Sequence, residues 1–284
     1  MDKRTKRSTV ALTIAGSDSG GGAGLQADVR TFHQWGVHGV VAVTAVTAQN
    51  TVGVQRVHAM EPQMVAAQIE SVAVDLAPRA VKSGMLGTAE VVAAVAASIR
   101  RSRLGPYVLD PVTVSTSGDE LLAPDAVAVL RGSLLPLAAV VTPNLPEAAL
   151  LTGREVAGPG QMAEAARALV EMGAGAALVT GGHLPGEEVL DLYWDGEAEL
   201  AYRGPRLGAG DVHGGGCTLS AAIAAALARG AEVRQAVAAA VRWVRSAIAT
   251  APELGGGATP VNHFAPPPSL ARPPGAPPPA GSGP

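Results

Sequence analysis

The stretch Val10-Ala11-Leu12-Thr13-Ile14-Ala15-Gly16-Ser17-Asp18-Ser19-Gly20-Gly21-Gly22-Ala23-Gly24-Leu25-Gln26-Ala27-Asp28 decides the fold. Residues 10–15 are apolar or β-branched with no polar alternation, the mark of a strand buried on both faces. A glycine-rich turn follows, and residues 26–35 resume at helical spacing. The same rhythm continues down the chain, with strands predicted at 40–46, 80–84, 107–110, 139–142 and 176–180 and helices at 62–75, 89–101, 124–130 and 162–172. Such an alternation makes an α/β fold with a mostly parallel sheet covered on both faces. Residues 189–194 and 198–202 around Asp195-Gly196 read as a hairpin, so the sheet is expected to be mixed at one edge. Helices at 217–229 and 233–250 close the pattern. In sheets of this kind ligands bind beyond the carboxyl ends of the strands.

Composition narrows the class. The chain has 284 residues, and at about 150 residues per domain this allows one large domain or two small ones. Residues 265–284 are dominated by proline and cannot bury enough surface to fold, so a disordered tail is expected there and a flexible one at 1–8. The core, 9–264, is then a single domain. Although 48% of residues are hydrophobic, every long apolar stretch is interrupted before about 18 residues, which excludes a membrane-spanning helix. A net charge of −3 offers no surplus of cations to a nucleic-acid backbone. The one cysteine, Cys217, rules out an internal disulfide, and 1–8 do not lead into a signal-type apolar core. The expected compartment is the cytoplasm.

Three loops carry the chemistry. Gly22-Ala23-Gly24-Leu25-Gln26-Ala27 matches the dinucleotide fingerprint in form, but the second strand ends in Thr47-Ala48-Gln49-Asn50 with no carboxylate for a ribose. A Walker loop fails as well, since no Lys-Ser or Lys-Thr follows. The second loop, Gly208 to Gly216, runs through His213-Gly214-Gly215-Gly216 into Cys217 and a helix. Unobstructed N–H groups at a helix start form an anion site, and a thiol there is expected to titrate below a free thiol. The competing reading is a packing cysteine. The third loop is Thr142-Pro143-Asn144-Leu145-Pro146-Glu147. Asn144 and Glu147 either offer oxygens to a hydrated Mg²⁺ or close a capping box at a helix start.

In order along the chain, ALTIAGSDSGGGAGLQADVRTF, VTAVTAQNTVGV, KSGMLG, LDPV followed by SGDELL, TPNLPEA, GGH and HGGGCTLSAAIAAAL resemble the hydroxymethylpyrimidine and phosphomethylpyrimidine kinases of thiamine biosynthesis. These lie within the ribokinase-like superfamily, and the similarity covers about residues 11–251. The resemblance implies a three-layer α/β/α sandwich with a central, mostly parallel sheet. It also implies ATP and Mg²⁺ as cofactors and a small aminopyrimidine alcohol, or its phosphate, as substrate. By the same resemblance Gln49 reads the ring, and Ala23, Asp28, Met85 and Val112 line the pyrimidine pocket. Asn144 and Glu147 organise Mg²⁺ and the ATP phosphates, with Asp110, Thr142, Thr180 and Gly182 beside them and Asp110 and Glu147 toward the metal. Cys217 stands where most of the superfamily has a catalytic aspartate, next to Gly214, Gly215 and Gly216. Three positions depart from the family pattern: Gly215 replaces a common threonine, and Thr116 and Thr180 replace frequent lysines. The alternatives are a pyridoxal or pyridoxine kinase and a non-catalytic nucleotide-binding regulator; a homodimer is the expected assembly.

Overall fold

The computed structural model describes residues 8–115, 118–207 and 212–269. The first seven residues of the expected N-terminal tail, Thr116, residues 208–211 and the proline-rich tail from 270 onward lie outside the described residues. The elements in order are β1 (Val10–Asp18), α1 (Gly24–Gln34), β2 (His38–Gln49), β3 (Val54–Ala59), α2 (Pro62–Leu76), β4 (Val81–Ser83), α3 (Ala89–Arg101), β5 (Tyr107–Leu109) and α4 (Ala126–Ser133). They continue with β6 (Val140–Val141), α5 (Leu145–Thr152), α6 (Pro159–Glu171), β7 (Ala177–Val179), β8 (Glu188–Trp194), β9 (Glu199–Pro205), β10 (Val212–His213), α7 (Gly215–Ala228), α8 (Val233–Ala249) and β11 (Thr259–Pro260).

Among the described residues nine strands form one sheet in the order β3-β2-β1-β4-β5-β6-β7-β8-β9. The run β2-β1-β4-β5-β6-β7 is parallel throughout. Successive residues of a strand point to opposite faces, and each face has its own core. Leu12, Ile14, Tyr107 and Leu109 join the cluster under α2 to α6, while Ala11 and Val108 join the cluster of α1, α7 and α8. The result is the expected three-layer α/β/α sandwich. Helix α7 suits its central place because Leu219 and nearly every residue after it is small, apolar and buried. Its alanines let it lie close to the sheet, against β1, β4 and β5.

The sheet differs from expectation at one edge. The hairpin β8–β9 is antiparallel, as predicted, but β3 also pairs antiparallel with β2, so both edges are mixed. Strand β3 carries Gln55, Arg56 and His58 and is mostly exposed, so it lacks the apolar run that marks an inner strand. The C-terminal tail also starts later than its composition implies. Ala265 is buried, and its carbonyl accepts from Trp243 Nε1 at 2.9 Å and Gln34 Nε2 at 3.0 Å.

Strand ends deliver the loops to one side of the sheet. Asp18 ends β1, Gln49 ends β2, and Met85, Asp110, Thr142 and Thr180 follow β4, β5, β6 and β7 in turn. The glycine of the second loop is decisive for how this rim closes. Gly214 sits at φ +76°, and a Cβ there would lie 2.0 Å from the Gly22 carbonyl oxygen, so only glycine brings the two glycine-rich loops together.

Candidate active site

A cavity of about 880 Å³ opens over the carboxyl ends of the parallel strands. Gln49, Ala23, Met85 and Val112 line it, as do Asp110, Thr142, Asn144, Glu147, Thr180 and Gly182. Gly214, Gly215, Gly216 and Cys217 complete the wall. The sequence therefore identified fourteen of its fifteen candidates as neighbours of one cavity.

The exception is Asp28, which does not line the cavity. It is fully buried beneath it and accepts from Thr13 Oγ1 at 2.6 Å and from Lys82 Nζ at 3.0 Å on each carboxylate oxygen. Its place on α1, facing the sheet, points it inward rather than up into the pocket. Lys82 was not singled out from the sequence. It is fully buried too, and its ammonium lies 3.4 Å from Asp110 Oδ2. Burial works against its charge, but the carboxylates of Asp28 and Asp110 outweigh burial and hold Lys82 protonated. The available signal was a lone lysine inside an otherwise apolar strand, where an unpaired charge would be prohibitive.

Asp18 was likewise missed. Its carboxylate accepts from Gly20 N–H at 2.8 Å, from Gly22 and Ala23 N–H at 2.9 Å each, and faces His213 Nε2 at 2.9 Å. Burial opposes its charge, yet His213 and the amides of Ala23 and Gly20 win and keep its pKa below the usual carboxylate value. One side chain thus folds the first glycine loop and ties it to the second.

Asn144 and Glu147 form the capping box. Asn144 Oδ1 accepts from Glu147 N–H, and Glu147 Oε2 accepts from Asn144 N–H, both at 2.9 Å. Glu147 is nevertheless at the cavity wall and only 5% exposed. Burial and the nearby charge of Asp110 push its pKa up to about 8, against the pull of the Asn144 and Thr113 amides. A capping carboxylate needs only one oxygen, and this one sits beside a second carboxylate in a desolvated place. Both carboxylates gain from a cation between them, so the donor set fits a hydrated Mg²⁺. Among the described residues no cluster of three or more His, Cys, Asp or Glu stands ready as a metal cage. A cation here would complete its shell with phosphate and water oxygens, the usual arrangement for Mg²⁺.

Cys217 corrects a second expectation. Its thiol is pushed up to about 12, first by burial and then by Asp110 and Asp28, while Lys82 and the Gly24 amide pull the other way. The helix start favours a thiolate, but the sequence could not reveal two carboxylates packed beneath it.

The comparisons agree with this geometry. The family model described as phosphomethylpyrimidine kinase matches residues 18–262. The chain belongs to that family. As a member it is a kinase, a phosphotransferase. A Rhizobium meliloti hydroxymethylpyrimidine/phosphomethylpyrimidine kinase is 52% identical over 258 residues, covering 90% of this chain and 97% of that protein. Bacillus subtilis pyridoxal kinase, solved as an ADP complex, superposes with TM-score 0.85 at 37% identity over 91% of this chain and 98% of its own. The Clostridium difficile phosphomethylpyrimidine kinase structure gives TM-score 0.75 at 38% identity over 84% and 99%. Together they support ATP as the nucleotide.

Two predictions follow from the charges. Glu147 titrates near 4.5 when unfolded and near 8 in the fold, so between these values the folded state holds the extra proton. Stability should therefore fall as pH rises from about 5 to 8, by up to about 1.4 kcal/mol per pH unit. Glu147→Gln keeps an oxygen for the cap and removes that slope. Urea unfolding at several pH values should show the variant gaining on the parent toward pH 8, and parallel curves would contradict the assignment. For Cys217, the chain's single thiol, iodoacetamide should react more slowly at pH 7.5 than with free cysteine, whose pKa is about 8.5. The rate should still be climbing at pH 10; a plateau below pH 8 would show an activated thiolate instead.

Proposed function

We propose that the chain transfers the γ-phosphoryl group of ATP, with Mg²⁺, to the hydroxymethyl group of 4-amino-5-hydroxymethyl-2-methylpyrimidine, and then phosphorylates the monophosphate to the diphosphate. The observation that carries this reading is how the cavity residues sort along the sheet. Gln49, Ala23 and Met85 come from the ends of β2, β1 and β4. Asp110, Asn144, Glu147 and Thr180 come from the ends of β5, β6 and β7. Helix α7, whose first residues line the same cavity, packs on β1, β4 and β5. In this reading a ring site and a phosphate site flank one helix N-terminus.

Each group has a defined task in this reading. Gln49 offers a donor and an acceptor side by side, complementary to an amine next to a ring nitrogen. Ala23, Met85 and Val112 supply apolar walls. Asp110, Asn144 and Glu147 would hold Mg²⁺ and orient the phosphates; when bound, the ion would supply charge neutralisation at the leaving phosphate. The amides of Gly214, Gly215 and Gly216 point at the phosphoryl group in transit, where charge stabilisation by fixed dipoles is most effective. Cys217 could take the hydroxymethyl proton only as the thiolate, a form that a cation bound near Asp110 and Glu147 would favour. With the thiol protonated at rest, the amides at the start of α7, together with a bound cation, would carry the larger share of the acceleration.

Pyridoxal is the alternative substrate, favoured by the close superposition with pyridoxal kinases. A pyridine lacks the adjacent amine that Gln49 would serve. An ADP-release assay with Mg-ATP and each vitamer tests the choice. The aminopyrimidine should be the better substrate by kcat/KM. Gln49→Ala should lower that value by about 10- to 100-fold, as loss of two hydrogen bonds to a buried ring implies, with KM for ATP unchanged. Turnover of pyridoxal alone would overturn the proposal.

A further inference from the structure

Gln49 has neighbours that decide which way round its carboxamide lies. As placed, its nitrogen is 3.4 Å from His213 Nε2 and its oxygen 3.1 Å from Thr47 Oγ1, and the two ends of a carboxamide are told apart only by their hydrogen bonds. His213 Nε2 is 2.9 Å from Asp18 Oδ2, and Asp18, with its lowered pKa, is a carboxylate that only accepts. Nε2 of His213 therefore carries the hydrogen. A carboxamide nitrogen turned toward it would set N–H against N–H. On the other side, Thr47 Oγ1 spends its single hydrogen on the Ser17 carbonyl at 2.9 Å, so toward Gln49 it can only accept. One orientation avoids both conflicts: with the carboxamide turned, the Gln49 oxygen faces the His213 N–H, which it shares with Asp18 as the longer contact, and the nitrogen donates to Thr47.

That choice has a stereochemical consequence. The remaining oxygen lone pair and the remaining N–H form the edge presented to the cavity. An aminopyrimidine matches it with the amine opposite the oxygen, on the His213 side, and the ring nitrogen opposite the N–H, on the Thr47 side. Around the ring, the hydroxymethyl-bearing carbon follows the amine on the side away from that nitrogen. The hydroxymethyl group then lies toward His213, the residue that immediately precedes Gly214, Gly215 and Gly216 at the start of α7. With the carboxamide reversed, the ring would bind turned over, and the hydroxyl would face away from those amides.

We propose that His213, held by Asp18, is a positioning residue that locks the Gln49 carboxamide with its oxygen on the His213 side and so sets the ring with its hydroxymethyl group toward the α7 amides. This deepens the proposed function and rests on Gln49 reading an aminopyrimidine. It gives Asp18 a double duty, since the same carboxylate gathers the Gly20, Gly22 and Ala23 amides of the facing loop.

The test compares kcat/KM for 4-amino-5-hydroxymethyl-2-methylpyrimidine with that for the same ring lacking the amine. The parent should prefer the amine, and Gln49→Ala should erase the preference. His213→Leu should cut it by about three- to tenfold, the worth of one shared hydrogen bond, whereas His213→Gln, whose two amide hydrogens can serve Asp18 and Gln49 together, should retain it. In the Gln49→Ala background His213→Leu should change the preference no further. Should His213→Leu fail to fold, Thr47→Val removes the partner at the other end of the carboxamide and should lower the preference likewise. If His213→Leu or Thr47→Val slows both substrates equally and leaves the preference intact, the residues are merely structural and the proposal is overturned. A parent that releases no ADP with the aminopyrimidine overturns the functional reading itself, and this proposal with it.

Discussion

Lys82 Nζ, with no exposure to water, lies 3.0 Å from both oxygens of Asp28 and 3.4 Å from Asp110 Oδ2. Every part of the site leans on this ammonium. Removing one partner of a buried ion pair typically costs about 3–5 kcal/mol, because the remaining charge is stranded away from water. Here two carboxylates would be stranded. Asp28 is braced by Thr13 on the sheet side, so the network is anchored in the core. On the cavity side Asp110 also accepts from Ser220 Oγ at 2.9 Å, which ties the carboxylate to α7 one turn past its start. Sheet, helix α7 and the cavity carboxylate Asp110 are thus held in register by one buried cation.

The same network explains why two titrating groups at the cavity differ from their ordinary values. Asp110 raises both Glu147 and Cys217, and burial does so more strongly. Each is set so that its neutral form is favoured until positive charge enters the cavity. A kinase gains from this arrangement: the carboxylates stay desolvated and fixed, and their interaction with a metal-bound phosphate needs little reorganisation.

Much of this was legible in the sequence because it follows local rules. Strands buried on both faces read as apolar runs, and β1 and β5 to β7 fall where such runs occur; β2 was found by its apolar run although it leaves Val41 and Val46 exposed, and β4 although it carries Lys82. The glycine loops announced themselves by composition, and their order along the chain carried the resemblance. What escaped was whatever depends on tertiary neighbours. Strand β3 is an exposed edge, so Val54 and Val57 alternate with nothing buried. Lys82 gives no periodic signal, and its meaning appears only when Asp28 and Asp110 arrive from elements 54 and 28 residues away. Asp28 follows the helical pattern of α1, which shows that it is on the inner face but not that the pocket stops above it. For Cys217 the helix start was visible in the sequence and the carboxylates below it were not.

The proposed function requires a ring site and a phosphate site to meet at the start of α7. A crystal structure with a non-hydrolysable ATP analogue, Mg²⁺ and 4-amino-5-hydroxymethyl-2-methylpyrimidine tests it most directly. The account predicts the ring against Gln49, the γ-phosphate at the amides of Gly214, Gly215 and Gly216, and the hydroxymethyl oxygen roughly 3–3.5 Å from the γ-phosphorus and in line with the leaving oxygen. A ring bound away from Gln49, or a γ-phosphate held off the α7 amides, would contradict it.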